Sequence, residues 1–264
     1  MESRVVVVTG ASSGLGRRTA LDLAAEGHRV CVAARREERL TELVDEMGGT
    51  AAGHSSHVTD VSDRAQVKTL ATHVRDTYGR CDVLINNAGI PGRETFGPDA
   101  VEKIQDVMNV NFYGAVFCTA ELYDLLLAST PSHVINVTSV AGRIATPGFA
   151  SYSASKFALV GWTESLQPEL AKKGIYVSSI EPGFIPTEGF PQESLTSDPM
   201  LSRILGTDAD VSAAIRDAIA HRKPQRVVPR WYYLLQVPKL LAPPVYRFVL
   251  NKVMDSPVAK KVGS

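Results

Sequence analysis

The chain opens on a run of β-branched residues, Val5-Val6-Val7-Val8. A run this continuous predicts a strand over 4–9 that is covered on both faces. A glycine-punctuated turn follows at 10–16. Residues 17–26 then set Ala20, Leu21, Leu23 and Ala24 at helical spacing before Gly27 ends the pattern. A second strand is expected at 29–34, and a second helix, charged along one side, at 36–47, before Gly48-Gly49. The alternation goes on: helix 64–78 and strand 82–85, helix 101–128 and strand 133–138, helix 151–172 and strand 176–180. Strands alternating with helices imply βαβ units with right-handed crossovers. The fold class is therefore α/β, a doubly wound parallel sheet. Beyond Pro182 the pattern loosens. A loop with a short helix is expected between Gly183 and Asp208, closing over a ligand, then a helix at 208–221 and a short edge strand at 226–229. No repeat or low-complexity linker divides the 264 residues, so a single domain is expected, with 190–264 as a variable substrate loop and tail.

Composition changes this picture little. Apolar residues make up 44% and charged residues 21%, an ordinary globular balance. Cys31, Cys81 and Cys118 are odd in number and lie in or beside apolar runs, which favours a reducing, cytoplasmic setting over a disulfide framework. No secretory leader and no bilayer-spanning segment is expected, because no apolar stretch approaches the length needed. Charge is unevenly spread. The net charge is zero, yet residues 222–264 hold nine Lys/Arg against Asp255 alone, leaving the tail at +8 and the rest at −8.

The turn Thr9-Gly10-Ala11-Ser12-Ser13-Gly14-Leu15-Gly16 sits between a buried strand and a helix. In that position glycines let backbone approach a pyrophosphate, and the helix N-terminus offers free N–H groups and a positive dipole end. Three glycines alone can equally make a structural tight turn; the order strand, turn, helix points to a dinucleotide. The second strand ends Ala34-Arg35-Arg36, with no acid until Glu37. A carboxylate there would bond a ribose 2′-OH, whereas guanidinium groups favour a 2′-phosphate. The expected cofactor is NADP(H), with Arg35 as main contact and Arg36 as helper; the alternative is that both arginines cap a solvated helix start.

Further along stand Asn86-Asn87-Ala88-Gly89, Asn111, Ser139, Tyr152-Ser-Ala-Ser-Lys156 and Pro182-Gly183. In this order and spacing, together with the glycine turn, they resemble the short-chain dehydrogenase/reductase family in its compact Rossmann-fold form, over residues 4–190. The resemblance implies catalytic roles for Asn111, Ser139, Tyr152 and Lys156. It implies cofactor contacts from Gly10, Ser12, Ser13, Gly14, Leu15 and Gly16, from Asp60 and Val61 at the adenine edge, and from Asn87, Ala88 and Gly89 behind the adenosine. Pro182, Gly183, Ile185 and Thr187 would border the nicotinamide, and Lys156 would hold its ribose. One departure concerns the cofactor: many NADP-preferring relatives carry a basic residue just before the second turn glycine, where this chain has Ser13.

Tyr152 and Lys156 are four apart on an expected helix and share a face. A phenol has a pKa of about 10. A neighbouring ammonium is expected to lower it, making Tyr152 a general acid for ketone reduction and a base for alcohol oxidation. Ser139, just past a strand end, can orient the substrate oxygen or merely cap a turn. Asn111, an unfavoured mid-helix residue, is expected to hold a water that links Lys156 to solvent. His54 and His57 lack further metal ligands and are read as loop, and Ser139 lacks the glycine context of a hydrolase elbow. No metal is expected.

The tail combines Trp231, Tyr232, Tyr233, Leu234, Leu240, Leu241, Tyr246 and Phe248 with basic residues, and Pro238, Pro243 and Pro244 cut it into short helices. A clamp over the pocket, a dimer contact and a peripheral membrane contact on anionic lipid all suit that makeup. Nucleic acid is not expected, since no binding module is present. The leading expectation is a reductase or dehydrogenase of a hydrophobic secondary alcohol or ketone. A 3-oxoacyl-thioester reductase is the near alternative, and a non-catalytic NADP-sensing protein a distant one. The resemblance also implies a homodimer or homotetramer through the long helices.

Overall fold

A computed structural model of the chain describes residues 3–92, 94, 96–145, 148–188 and 205–254. Among them, strands β1 (Val5–Thr9), β2 (Arg29–Ala34), β3 (Ser55–Val58), β4 (Val83–Asn86), β5 (Ser132–Val137), β6 (Ile175–Pro182) and β7 (Gln225–Val228) form one sheet. Its order is β3-β2-β1-β4-β5-β6-β7, and every pairing is parallel. The chain winds outward from β1 to β3, returns to the centre and winds the other way from β4. The reversal opens a crevice between the C-terminal ends of β1 and β4, where open α/β sheets bind ligands.

The period of two along each strand explains the two cores. Val6, Val8, Val30, Val32, Ile85 and Ile135 point to one face, with Leu23, Leu40, Leu43, Ile215 and Ile219 packed on them. Those partners come from α1 (Gly14–Ala25), α2 (Glu37–Glu46) and α8 (Asp208–His221). Val7, Cys31, Leu84 and Val134 point to the other face. It is covered by α3 (Arg64–Tyr78), α5 (Gly114–Glu121), α6 (Tyr123–Ala128) and the far end of α7 (Ala150–Ala171). Since both faces are covered, the strands read as continuous apolar runs rather than as alternating ones.

Three expectations change. The 54–57 stretch belongs to an edge strand and its approach, not to a loop. Its polar residues are satisfied in place: His54 Nδ1 accepts from the Val30 N–H at 3.2 Å, and Ser55 Oγ meets His73 Nε2 at 2.9 Å and Tyr78 Oη at 2.8 Å. The helix expected at 101–128 is three, α4 (Val101–Met108), α5 and α6, joined by a π turn at Asn109–Tyr113 and a break at Leu122. The π turn falls at Asn111, whose side chain bonds backbone outside the helix; such bulges form where a side chain draws the helix off its ladder. The tail prolines start helices more than they break them: Pro238 lies in the first turn of α9 (Val237–Leu241), and Pro243 opens α10 (Pro243–Met254), positions where a missing N–H costs nothing. Of the loop and short helix expected over 183–208, residues 189–204 lie outside the described residues. The helix over 208–221 is found, capped by Thr207, whose Oγ accepts from the Asp210 N–H at 3.1 Å.

A buried polar ladder fixes the site-bearing helix to the sheet. Asn86 Nδ2 donates to Asn136 Oδ1 at 2.8 Å and to Thr119 Oγ at 3.1 Å, and Asn136 Nδ2 donates to Thr163 Oγ on α7 at 2.9 Å. Buried amides paired this way set the register between β4, β5 and α7 and cost little so long as each partner remains.

Candidate active site

The C-terminal ends of the strands line one continuous cleft of about 340 Å³. At β1 the turn contributes Gly10, Ser12, Ser13 and Leu15. Gly10 holds φ at +66°, and a Cβ there would stand 2.7 Å from Ala88 Cα, so only glycine lets the β1 and β4 turns meet. Thr9 Oγ accepts from the N–H groups of Asn87 and Ala88 at 3.1 and 3.2 Å, and Asn87 Nδ2 donates back to the carbonyls of Thr9 and Gly10 at 3.0 and 3.2 Å. Asn87 therefore braces the glycine turn from behind while Ala88 and Gly89 face the cleft. Gly14 lies under Thr187, and Gly16 abuts the Gly10 carbonyl, so both shape the turn without lining the cleft. Helix α1 starts there without a side-chain cap and without an acid in its first turn. An uncapped, twelve-residue helix N-terminus opening on a cleft suits a pyrophosphate.

The basic end of the cleft differs from its expected form. Arg35, two-thirds exposed, reaches among the described residues only Asp60, at 4.0 Å. Arg36 lies across the turn instead: its guanidinium donates to Ser12 Oγ at 2.9 and 3.1 Å and to Ser13 Oγ at 2.7 Å. A guanidinium from just past the end of β2 thus lies at the Ser13 position. Arg36 Nη1 also donates to Glu188 at 2.9 Å, and Arg39 holds both oxygens of the same carboxylate at 2.5 and 2.7 Å. Arg39 and Glu188 escaped the sequence reading. Arg39 was findable, since it stands three residues after Arg36 on one helical face; Glu188 carries no local signal. Asp60 and Val61 line the cleft beside this cluster, with Asp60 Oδ1 turned to Ser62 N at 2.9 Å.

At the other end Ser139, Tyr152, Lys156, Pro182, Gly183, Ile185 and Thr187 line the cleft together. Ser139 caps the short turn after β5, accepting from the Ala141 N–H at 3.0 Å, and donates weakly to the Pro182 carbonyl at 3.3 Å. It also hydrogen-bonds the Tyr152 hydroxyl. The cap reading of Ser139 is thus found, and the same hydroxyl stands beside that of Tyr152. Lys156 is buried; its Nζ donates to the Val137 carbonyl at 2.9 Å and lies 5.7 Å from the Tyr152 ring centroid. Asn111 lies behind the cleft, not in it. Its Oδ1 accepts from the Ile90 N–H at 2.8 Å, and its Nδ2 donates to the Ile90 carbonyl at 3.0 Å and to Ser155 Oγ at 3.1 Å. This ties the β4 turn to α7 one turn from Tyr152.

The electrostatics reverse one expectation. Burial pushes the Tyr152 phenol up to about 12, opposed by the Ser139 hydrogen bond, where the neighbouring ammonium was expected to bring it down. Burial likewise holds Lys156 down to about 8. Each group is desolvated, and the ammonium spends its hydrogen bond on a carbonyl rather than on the phenol, so burial outweighs attraction. Tyr152 is accordingly protonated at neutral pH.

The comparisons with known proteins agree with this geometry. The short chain dehydrogenase family profile matches residues 4–197. A 3-oxoacyl-[acyl-carrier-protein] reductase of Synechocystis is 36% identical over 224 residues, 82% of this chain and 89% of that one. The crystal structure of a short-chain dehydrogenase from Streptomyces avermitilis superposes with a TM-score of 0.79 at 29% identity, covering 96% of this chain and 98% of that one. A variant of the actinorhodin polyketide ketoreductase, crystallised with NADPH, superposes with a TM-score of 0.76 at 30% identity over 85% of this chain and 95% of its own. With the profile spanning most of the chain and the relative covering more than two-thirds of it, the chain belongs to the short-chain dehydrogenase/reductase family and is an oxidoreductase of that kind.

Proposed function

We propose that this protein is an NADP(H)-dependent oxidoreductase that reduces a ketone to a secondary alcohol, or the reverse, on a hydrophobic molecule. The observation that carries the reading is the Tyr152 hydroxyl bonded to Ser139 inside a cleft that also holds Lys156. Bound NADP(H) supplies or accepts the hydride. Tyr152, kept protonated by burial, gives its proton to the developing alkoxide, and Ser139 orients that oxygen. Lys156, as ammonium, favours the phenolate that remains and holds the nicotinamide ribose. Asn111 is a positioning residue: it fixes the Ile90 backbone to Ser155, on the helix that carries Tyr152 and Lys156.

The cofactor reading rests on the arginines. Arg36, seated on Ser12 and Ser13, takes the 2′-phosphate first, with Arg35 and Arg39 beside it. The NADPH in the ketoreductase neighbour supports the same choice. The substrate reading rests on Phe184 and Trp231, partly exposed beside the Pro182–Thr187 segment, with Trp231 stacked on Tyr232 at 4.2 Å. A 3-oxoacyl-thioester substrate is the second reading, favoured by the Synechocystis relative. A sensor without turnover is disfavoured, because Ser139, Tyr152 and Lys156 meet in one cleft. Its three buried, unpaired cysteines suit a cytoplasmic setting, and the family likeness suits a single domain that assembles as a homodimer or homotetramer through its long helices.

Initial rates with NADPH and NADH across ketones of rising apolar size, and an acyl thioester, test this. Turnover preferring NADPH and falling about 10²–10⁴-fold in Tyr152→Phe is expected. Tight NADPH binding with no turnover on any of these substrates would leave the sensor reading standing.

A further inference from the structure

The tail leaves its apolar side chains outside. Tyr233, Leu234, Leu240, Leu241, Val245 and Phe248 are between 53% and 80% exposed. A stretch of that size on a globular surface marks a contact, since scattered single residues are the norm elsewhere. The clamp reading accounts for little of it. Tyr232 is buried, its ring so close over Gly183 that a Cβ there would stand 2.8 Å away. Lys239 donates to the Arg143 carbonyl at 2.6 Å and lies over the Phe157 ring at 4.6 Å. These two residues root the tail on the substrate side of the cleft. The six exposed side chains face away from the protein.

Charge decides between occupants. Residues 222–254 contain seven Lys/Arg and no Asp or Glu. Arg230, Arg247 and Lys252 are exposed among the apolar side chains. A second copy meeting this surface about a two-fold axis would set the same cations against one another, and protein interface cores are depleted in lysine. Nucleic acid would satisfy the cations but leave the leucines in water. An anionic bilayer satisfies both at once. The helices are too short for anything but lying on it: α10 has twelve residues, about 18 Å, against a hydrocarbon core of about 30 Å. Among the described residues no helix is long and apolar enough to cross a membrane.

We infer that residues 230–252 form an interfacial anchor for an anionic lipid surface, which presents the mouth of the active-site cleft to the bilayer. The inference deepens the reading of a hydrophobic substrate, and rests on it only for what the lipid delivers; the lipid contact itself stands on the tail's exposure and charge.

Co-sedimentation of the full chain with vesicles tests the contact without turnover. Vesicles of phosphatidylcholine alone are compared with vesicles carrying about 30 mol% phosphatidylglycerol, at low and high salt. Binding to the anionic vesicles is expected, weaker by about tenfold or more on phosphatidylcholine and weakened by salt. Leu240→Glu with Leu241→Glu, and separately Arg247→Ser with Lys252→Ser, should each weaken it about tenfold or more. Both double variants should keep their thermal midpoint and their kcat on a water-soluble ketone. Absence of binding to anionic vesicles, or binding that neither variant weakens, overturns the anchor. A dimer in solution that dissociates in the leucine variant would assign the surface to a second copy and overturn it equally. Vesicle binding by a protein that reduces no ketone would instead leave the anchor standing and remove the proposed reaction.

Discussion

Two regions of this molecule treat hydrophobic side chains in opposite ways. From β1 to β4 the large apolar residues of the strands are buried, all but Val58 at the end of edge strand β3, each face is covered by helices, and polar groups at the strand ends are bonded to one another. From Trp231 onward, only Tyr232 among the described large apolar side chains is fully buried, and leucines stand in solvent. The first region is specified by its own packing. The second is attached at Tyr232 and Lys239 and otherwise addresses something outside. Apolar composition alone does not separate the two; the company of the apolar residues does. In β1 they are β-branched and uninterrupted, whereas in the tail they alternate with arginine, lysine and proline.

The largest effect that can break this contrast is on stability. Leu43→Ala, in the core beneath α2, should cost about 2–5 kcal/mol, since the cavity it leaves cannot collapse freely. Leu240→Ala, three-quarters exposed, should change stability by about 0.5 kcal/mol or less. Urea melts of the two variants measure both. Equal costs would mean that the tail is packed after all.

The next effect sharpens the cofactor end. Arg36→Leu should raise KM for NADPH about 10–100-fold and KM for NADH far less, because the charge-assisted bonds to the 2′-phosphate serve NADPH alone, whereas the lost bonds to Ser12 and Ser13 bear on both nucleotides alike. Arg35→Leu should do less, as its guanidinium stands 4.0 Å from Asp60 and is two-thirds exposed. If Arg35 proves dominant, the seating of Arg36 on the serines is structural.

That ordering of the arginines also shows what is legible in a sequence. The doubly wound sheet was, because βαβ alternation is written in local periods of two and 3.6 residues. So was the set Ser139, Tyr152 and Lys156, since each sits at a strand end or one helical turn from its partner. Strand β3 was not: Ser55, Ser56 and His57 carry no apolar period, and their strand exists only because β2 offers a free edge. Asn111's role in splitting the long helix depends on Ile90, twenty-one residues away. The seating of Arg36 was not legible for the same reason. Arg35 and Arg36 are neighbours in sequence, but the end of a strand turns them in different directions, and only the position of Ser12 and Ser13 in space decides which is held.

The buried pair gives a pH signature of intermediate size. Burial holds Lys156 near 8 and Tyr152 near 12. Below about 8 the ammonium is present and the phenol is protonated, the state that ketone reduction requires. Above it the ammonium is lost first, so kcat/KM for reduction should stay level to about pH 8 and then fall, by up to tenfold per pH unit. Alcohol oxidation needs the phenolate and should rise with pH over the same range. A reduction rate that climbs past pH 9 would mean that Tyr152 is not the proton donor.

The smallest effect lies at the cofactor end of the cleft. Glu188, from the segment after β6, lends its carboxylate to Arg36 and Arg39, where the 2′-phosphate is proposed to bind. Both hydrogen bonds, Arg39's first, hold that carboxyl below its ordinary range, so it is ionised at neutral pH and competes with phosphate for the same guanidinium groups. Neutralising it removes the competitor. Glu188→Gln should therefore tighten NADPH binding by about two- to fivefold at low salt, no more, because an exposed ion pair is weak and well solvated. The gain should shrink as salt rises, and NADH binding should not change. Fluorescence titration of both nucleotides at two ionic strengths reads all three. Weaker NADPH binding in this variant would mean that Glu188 aligns the arginines for the phosphate instead of standing in its place.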